Sequence, residues 1–163
     1  MKSPSKLFFI LYLLVLLWLV LFKLSTDFSS VLLDHQTRTL NFIPFLSSSQ
    51  ANPREMIDNF MIFVPFGLLL GVYFKQTNFW RKLASVFAFS LAVEITQYIL
   101  AIGVTDITDI ITNTLGGLFG IMLYDFGKKH IAPEKLDRGI IITGMILLSL
   151  LLILRFFVLK VRY

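Results

Sequence analysis

The sequence predicts an all-α integral membrane bundle of about five transmembrane helices with an interfacial or re-entrant outer loop. Two observations carry that expectation. Of the 163 residues, 56% are hydrophobic and 15% are charged, with a mean hydropathy of +0.80, which is too apolar for a soluble globular domain. The apolar residues also fall into five runs, each of roughly the 17–25 residues that a helix needs to cross a hydrocarbon core of about 30 Å. These runs are nearly continuous, whereas membrane strands are short and alternate, so helices rather than a barrel are expected. The chain reads as a single membrane domain over residues 1–163, with no room for a separate soluble one.

The first run, Leu7–Leu24, follows Lys2 and Lys6 as the core of a signal peptide would. It is long, and Ser25-Thr26-Asp27-Phe28 offers no small-x-small cleavage site, so an uncleaved helix is expected. The second run, Ile57–Phe74, contains Pro65, which should kink it near its middle and free a carbonyl that neighbours or water must satisfy. The remaining runs are Leu83–Ile102, Ile107–Tyr124 and Gly139–Val158. Gln76-Thr77-Asn78 and Ala132-Pro133 read as short turns between antiparallel neighbours.

The connection from Ser25 to Met56 is different. Leu40, Phe42, Ile43, Phe45 and Leu46 surround Pro44 in a cluster too short to span a bilayer and too apolar to float free. It should lie at the interface or re-enter over the outer mouth of the bundle, with an ordinary packed loop as the plainer alternative. Runs two and four each carry a G-x-x-x-G pattern, Gly67 with Gly71 and Gly116 with Gly120, and Gly117 adjoins the second pair. Each pattern lies about ten residues into its helix, at a similar depth, where it would let two backbones approach closely.

Lys and Arg sort by loop. With the N-terminus inside, the inner segments hold nine of them, at Lys2, Lys6, Lys75, Arg81, Lys82, Lys128, Lys129, Lys135 and Arg138. The outer segments hold six, at Lys23, Arg38, Arg54, Arg155, Lys160 and Arg162, so five spans place the N-terminus inside and the C-terminus outside. The net charge of +5 does not imply a nucleic-acid partner, because the basic residues are scattered over loops. The absence of cysteine excludes disulfides and thiolate chemistry.

Two polar stripes interrupt the apolar runs. Asp106, Asp109 and Asn113 recur at i, i+3 and i+7 on one face of the fourth helix, and Glu94 and Gln97 mark the third. An Asp at the centre of a membrane helix costs about 2.5–3.5 kcal/mol on insertion scales, so such residues are functional-site candidates by default. At a rise of about 1.5 Å per residue, Glu94 and Asn113 each lie about 12 Å below the outer ends of their helices, and Asp109 about 6 Å. A connection of a few residues around Gly103 makes the two helices antiparallel neighbours, so the stripes can face each other in the outer half of the membrane. They read either as a water-accessible pocket or as a hydrogen-bond network tying helices together.

A hard cation held by Asp106, Asp109 and Glu94 is chemically feasible but not required, and no metal or cofactor is expected. The chain has no G-x-S-x-G elbow, Walker loop or H-E-x-x-H motif, and His35 and His130 lie in loops. Paired acids could serve as general acid and base, yet no nucleophile or oxyanion device accompanies them.

At these residues the chain resembles the VanZ-like membrane protein family. The resemblance rests on four ordered segments: Arg38 to Phe45, with Asn41 and Pro44; Asn59 to Gly67, with Pro65; Ser90 to Gln97, with Glu94; and Asp106 to Gly120, with Asp109, Asn113, Gly116 and Gly117. They span a core of about 38–125, with helices 7–24 and 139–158 peripheral to it. Many members carry an Arg shortly before the first Asp of the last segment, where this chain has Gly103-Val104-Thr105. The resemblance implies a multi-pass protein of the bacterial plasma membrane, in a family whose named member lowers susceptibility to the lipoglycopeptide teicoplanin.

The residues and the resemblance together give one leading expectation. An outer-half pocket would bind an amphiphile, such as a lipid-linked cell-wall precursor or the lipoglycopeptide itself. Arg38 would contact a phosphate or carboxylate through its bidentate fork. Asn41, Asn59, Glu94, Gln97, Asp109 and Asn113 would shape the pocket, with Asp106 at its mouth. The alternatives are a membrane enzyme remodelling a cell-wall lipid and a small proton-coupled transporter that uses Glu94 as its titrating carboxyl.

Overall fold

In a computed structural model, residues 3–21, 39–41, 43–44, 53–102 and 104–154 are described. Five helices dominate: α1 (Ser3–Leu21), α2 (Pro53–Tyr73), α3 (Phe79–Leu100), α4 (Ile107–His130) and α5 (Pro133–Ile153). Two short strands, β1 (Thr39–Asn41) and β2 (Val104–Asp106), complete the described elements. Helices α2 to α5 are each long and apolar enough to cross a membrane, while the apolar stretch of α1, Lys6–Leu21, is shorter. The chain is therefore a helical membrane protein.

The helices extend beyond the apolar runs that announce them. Helix α4 continues past Tyr124 to His130, because a helix need not stop where the hydrocarbon does. Lys128, Lys129 and His130 in its last turn also complement the negative end of the helix dipole, and Lys128 reaches Asp125 at 2.6 Å. Helices α2 and α5 start earlier than the apolar pattern indicates, at Pro53 and Pro133, where a proline at the first position forfeits no intrahelical bond. The turn between α2 and α3 lies where Gln76-Thr77-Asn78 predicts it. Asn78 caps α3 by accepting from the Arg81 N–H at 2.8 Å.

Helix α2 runs through Pro65 as one element. The Tyr12 hydroxyl of α1 donates to the Ile62 carbonyl at 2.8 Å, in the turn that the proline interrupts.

Contacts along α2 and α4 advance together, from Asn59 and Asp109 through Gly67 and Gly117 to Gly71 and Tyr124. The two helices are therefore parallel. Contacts between α3 and α4 run in opposite senses, Ser90 meeting Asn113 and Val86 meeting Gly117, so that pair is antiparallel. Glycine sets the spacing of α2 against α4. A Cβ on Gly67, Gly116 or Gly120 would collide with the backbone carbonyl of Gly117, Phe60 or Val64, respectively. Gly71 and Gly117 instead make room for the Tyr124 ring and the Val86 side chain.

The apolar core lies midway along the bundle and joins Leu16 and Val20 of α1, Phe63, Phe66 and Leu70 of α2, Val86 and Val93 of α3, and Ile121 of α4. Phe63, Phe66 and Phe89 pack with ring centroids 5.2–6.1 Å apart. Helix α1 supplies part of this core, whereas no residue of α5 is buried. Large apolar side chains such as Leu7, Ile57 and Trp80 point outward, as suits a lipid environment.

The connection expected at the interface is described only at 39–41 and 43–44. There it forms β1, which pairs in parallel with β2 in the register Thr39 to Val104, Leu40 to Thr105 and Asn41 to Asp106. An all-helical reading did not anticipate this ladder. It gives backbone groups just outside the α4 N-terminus the partners that a membrane environment withholds.

Candidate functional site

The polar side chains singled out in the sequence gather at the end of the bundle formed by the N-termini of α2 and α4 and the C-termini of α1 and α3. Helix α3 ends at Ala101, whose backbone is left-handed at φ 54°; the Ala101 N–H bonds the Tyr98 carbonyl and the Ile102 N–H bonds that of Gln97. That conformation disfavours a non-glycine residue by roughly 1–2 kcal/mol. It turns the chain so sharply that β2 returns along the last turn of α3. The Asp106 N–H then donates to Glu94 Oε2 at 3.1 Å, and the Thr105 hydroxyl donates to the Glu94 carbonyl at 3.4 Å.

Asp106 is the N-cap of α4, and its Oδ1 accepts from the Thr108 N–H at 2.8 Å. Its other oxygen accepts from Asn41 Nδ2 at 3.0 Å, which ties β1 to the start of α4. One turn deeper, Asn59 Nδ2 of α2 donates to Asp109 Oδ1 at 2.8 Å. A further turn in, Asn113 Nδ2 donates to the Ser90 hydroxyl of α3 at 3.0 Å. Gln97 closes the set on the α1 side, donating to the Val20 carbonyl at 3.0 Å and the Leu21 carbonyl at 3.4 Å.

Glu94 and Gln97 are each 1% exposed and Asn113 is 0% exposed, so this cluster lies in the protein interior rather than on a surface rim. Each bond joins two segments, and together they link α1, α2, α3, α4 and both strands. The cluster is rich in acceptors. Gln97 Oε1 and Asn113 Oδ1 are buried with no hydrogen-bond partner among the described residues, although the amide nitrogens of both side chains are engaged.

The sequence places Arg38 in this site, but Arg38 lies outside the described residues. Pro44 is described in an exposed turn next to Ile43, whose N–H is held by Asn41 Oδ1 at 3.2 Å. Among the described residues no group of three His, Cys, Asp or Glu side chains is placed to hold a metal ion. The bonds described above give Asp106, Asp109 and Glu94 different donors: the Thr108 N–H and Asn41 for Asp106, Asn59 for Asp109, and the Asp106 N–H for Glu94.

Sequence reasoning missed Ser90, Thr108 and Thr112, all buried within the cluster. Ser90 precedes Glu94 by one helical turn, and this spacing was the available signal.

A second polar cluster, also unforeseen, lies at the opposite end of the bundle. The Tyr124 hydroxyl donates to Asp137 Oδ1 at 3.0 Å, Lys75 pairs with Asp137, and Lys82 Nζ sits 5.9 Å from the centroid of the Tyr124 ring.

A family model described as VanZ/LLP1 matches residues 9–128, a range that begins within α1 and takes in every residue of the first cluster. Protein VanZ of Enterococcus faecium is 55% identical over 145 residues, covering 89% of this chain and 88% of that protein. No solved structure matches the chain.

Proposed function

The chain belongs to the VanZ/LLP1 family, and from that premise we propose that it lowers susceptibility to lipoglycopeptide antibiotics of the teicoplanin type. It does so from the bacterial plasma membrane, with its N-terminus cytoplasmic and its C-terminus extracellular. The buried cluster around Glu94, Gln97, Asp109 and Asn113 is an outward-facing site for an envelope lipid or another amphiphile. Arg38 and Asn41 serve it from the outer connection, Asn59 from α2, and Asp106 from its mouth.

One observation carries this reading: the Gln97 and Asn113 side-chain carbonyls are buried within membrane-spanning helices without a donor among the described residues. A buried acceptor left unsatisfied costs about 1–3 kcal/mol. A hydroxyl or amide N–H of a lipid-linked sugar or peptide headgroup recovers that cost on binding. A site made only to tie helices together would gain nothing from keeping two such acceptors.

The test is drug selectivity. Each buried CH₂ contributes about 0.8 kcal/mol, so even a short acyl tail concentrates a glycopeptide in the bilayer where such a site can act. Expressed in a susceptible Gram-positive host, the protein should raise the inhibitory concentration of teicoplanin more than that of vancomycin. Glu94→Ala at equal membrane abundance should remove the difference. Equal protection against both drugs would replace this reading with a general envelope effect, and no protection would reject it.

A further inference from the structure

We infer that the end of the bundle opposite the Glu94 cluster carries a second binding site, for an anionic phospholipid of the adjoining leaflet. A cleft of about 550 Å³ opens there between the α2–α3 turn and the first turns of α5. Its walls divide by polarity. Val72, Phe74 and Ile141 form an apolar part, and Lys75, Thr77 and Asp137 form a polar part. An acyl stem below a headgroup matches that division, whereas a soluble anion has no use for the apolar wall.

Beside the cleft α5 packs loosely. No residue of α5 is buried, and a Cβ built on Gly139 would meet nothing within 4 Å. In a bilayer such a lateral gap fills with lipid rather than water.

Charge selects the lipid. Residues 75–82 and 125–138 hold seven Lys or Arg against three Asp or Glu. Of the three acids, Asp125 is paired with Lys128 and Asp137 with Lys75. Lys75 is half-exposed, so its ammonium has further donors to offer beyond the one directed at Asp137. Lys82 is 5% exposed and has no carboxylate within salt-bridge distance among the described residues. Its ammonium lies over the Tyr124 ring, whose hydroxyl holds Asp137 in the cleft wall. This end therefore presents an uncompensated positive field beside an amphipathic cleft. A diacyl phospholipid with a net negative charge satisfies both features, and a zwitterionic one satisfies only the second.

The experiment compares retention of phosphatidylglycerol and phosphatidylcholine with identical acyl chains by the purified full chain in mixed micelles, read by native mass spectrometry. Phosphatidylglycerol should be retained preferentially. Lys75→Gln should weaken its retention by about fivefold, the weight of one basic side chain near an anionic surface. Ile141→Trp fills the apolar wall without changing charge and should also weaken it. Lys129→Gln removes the same charge outside the cleft and should change little.

Asp137→Asn keeps an acceptor for Tyr124 while releasing Lys75, so it should strengthen retention. Because a misfolded variant can only lose lipid, that gain separates a binding site from a structural ion pair. Equal retention of the two lipids would overturn the inference. So would a loss in Lys129→Gln equal to that in Lys75→Gln, or a loss in Asp137→Asn.

Discussion

Asn59 and Asp109 meet at 2.8 Å between two membrane-spanning helices, where the energetic standing of a hydrogen bond differs from that in water. Lipid offers no competing partner, yet the separated helices find other partners of their own, so such bonds average about 0.6 kcal/mol and reach about 1.7. A double-mutant cycle of Asn59→Ala and Asp109→Ala, read by SDS-driven unfolding of the purified protein, should therefore return a coupling of about 0.6–1.7 kcal/mol. Additivity within about 0.3 kcal/mol would mean that the bond holds nothing together. The same energetics decide which residues can be read from sequence. An Asp, Glu, Asn or Gln in an apolar run stands out because lipid cannot satisfy it, and Asn59, Glu94, Gln97, Asp109 and Asn113 all prove to be buried. Thr112 does not stand out, because its hydroxyl donates to the Thr108 carbonyl at 3.0 Å within its own helix, as exposed Thr96 does to Ala92 at 2.7 Å. A hydroxyl that satisfies itself on either face gives no signal of which face it occupies.

At the scale of elements, the parallel pairing of α2 with α4 rests on missing Cβ atoms. In lipid the hydrophobic effect does not drive helices together, so close backbone approach and the dispersion it allows take its place. Gly67→Ala or Gly116→Ala places a methyl group on a backbone carbonyl of the facing helix, which no rotamer change relieves. Either substitution should sharply reduce the yield of folded protein from membranes, measured by size-exclusion profile. Gly139→Ala meets open space and should be neutral or stabilising by up to about 1 kcal/mol, the difference in helix propensity. A folded yield for Gly67→Ala equal to that of Gly139→Ala would refute the close-contact account. The existence and order of the helices were legible because apolar runs of this length have few other uses. Their ends were not, because polar residues such as Lys128 and His130 extend α4 without appearing in any apolar count. The pairing of β1 with β2 was also invisible, since three extended residues carry no periodicity and their partners lie 65 positions away. The basic cluster around Lys82 and Tyr124 escaped for a related reason: charged residues near helix ends look like ordinary loop charges until the fold sets them side by side.

For the whole molecule, the layers along the bundle axis matter most. An acceptor-rich cluster at one end and a basic cluster at the other flank the aromatic core of Phe63, Phe66 and Phe89. An asymmetric molecule of this kind has opposite consequences in its two possible orientations, and the positive-inside rule predicts the one with the Glu94 cluster facing outward. Ile43 in the described part of the connection between α1 and α2 and Asn78 in the α2–α3 turn are both exposed, at opposite ends of the bundle. Because the chain has no cysteine, Ile43→Cys and Asn78→Cys can be labelled in intact cells by a membrane-impermeant maleimide without background. Labelling of Ile43→Cys alone is the expected result, with Asn78→Cys reacting only after permeabilisation. The reverse pattern would turn the Glu94 cluster toward the cytoplasm, out of reach of an externally added glycopeptide and of lipid-linked precursors in the outer leaflet. An envelope role through that cluster would then be physically closed, whatever the strength of the family match.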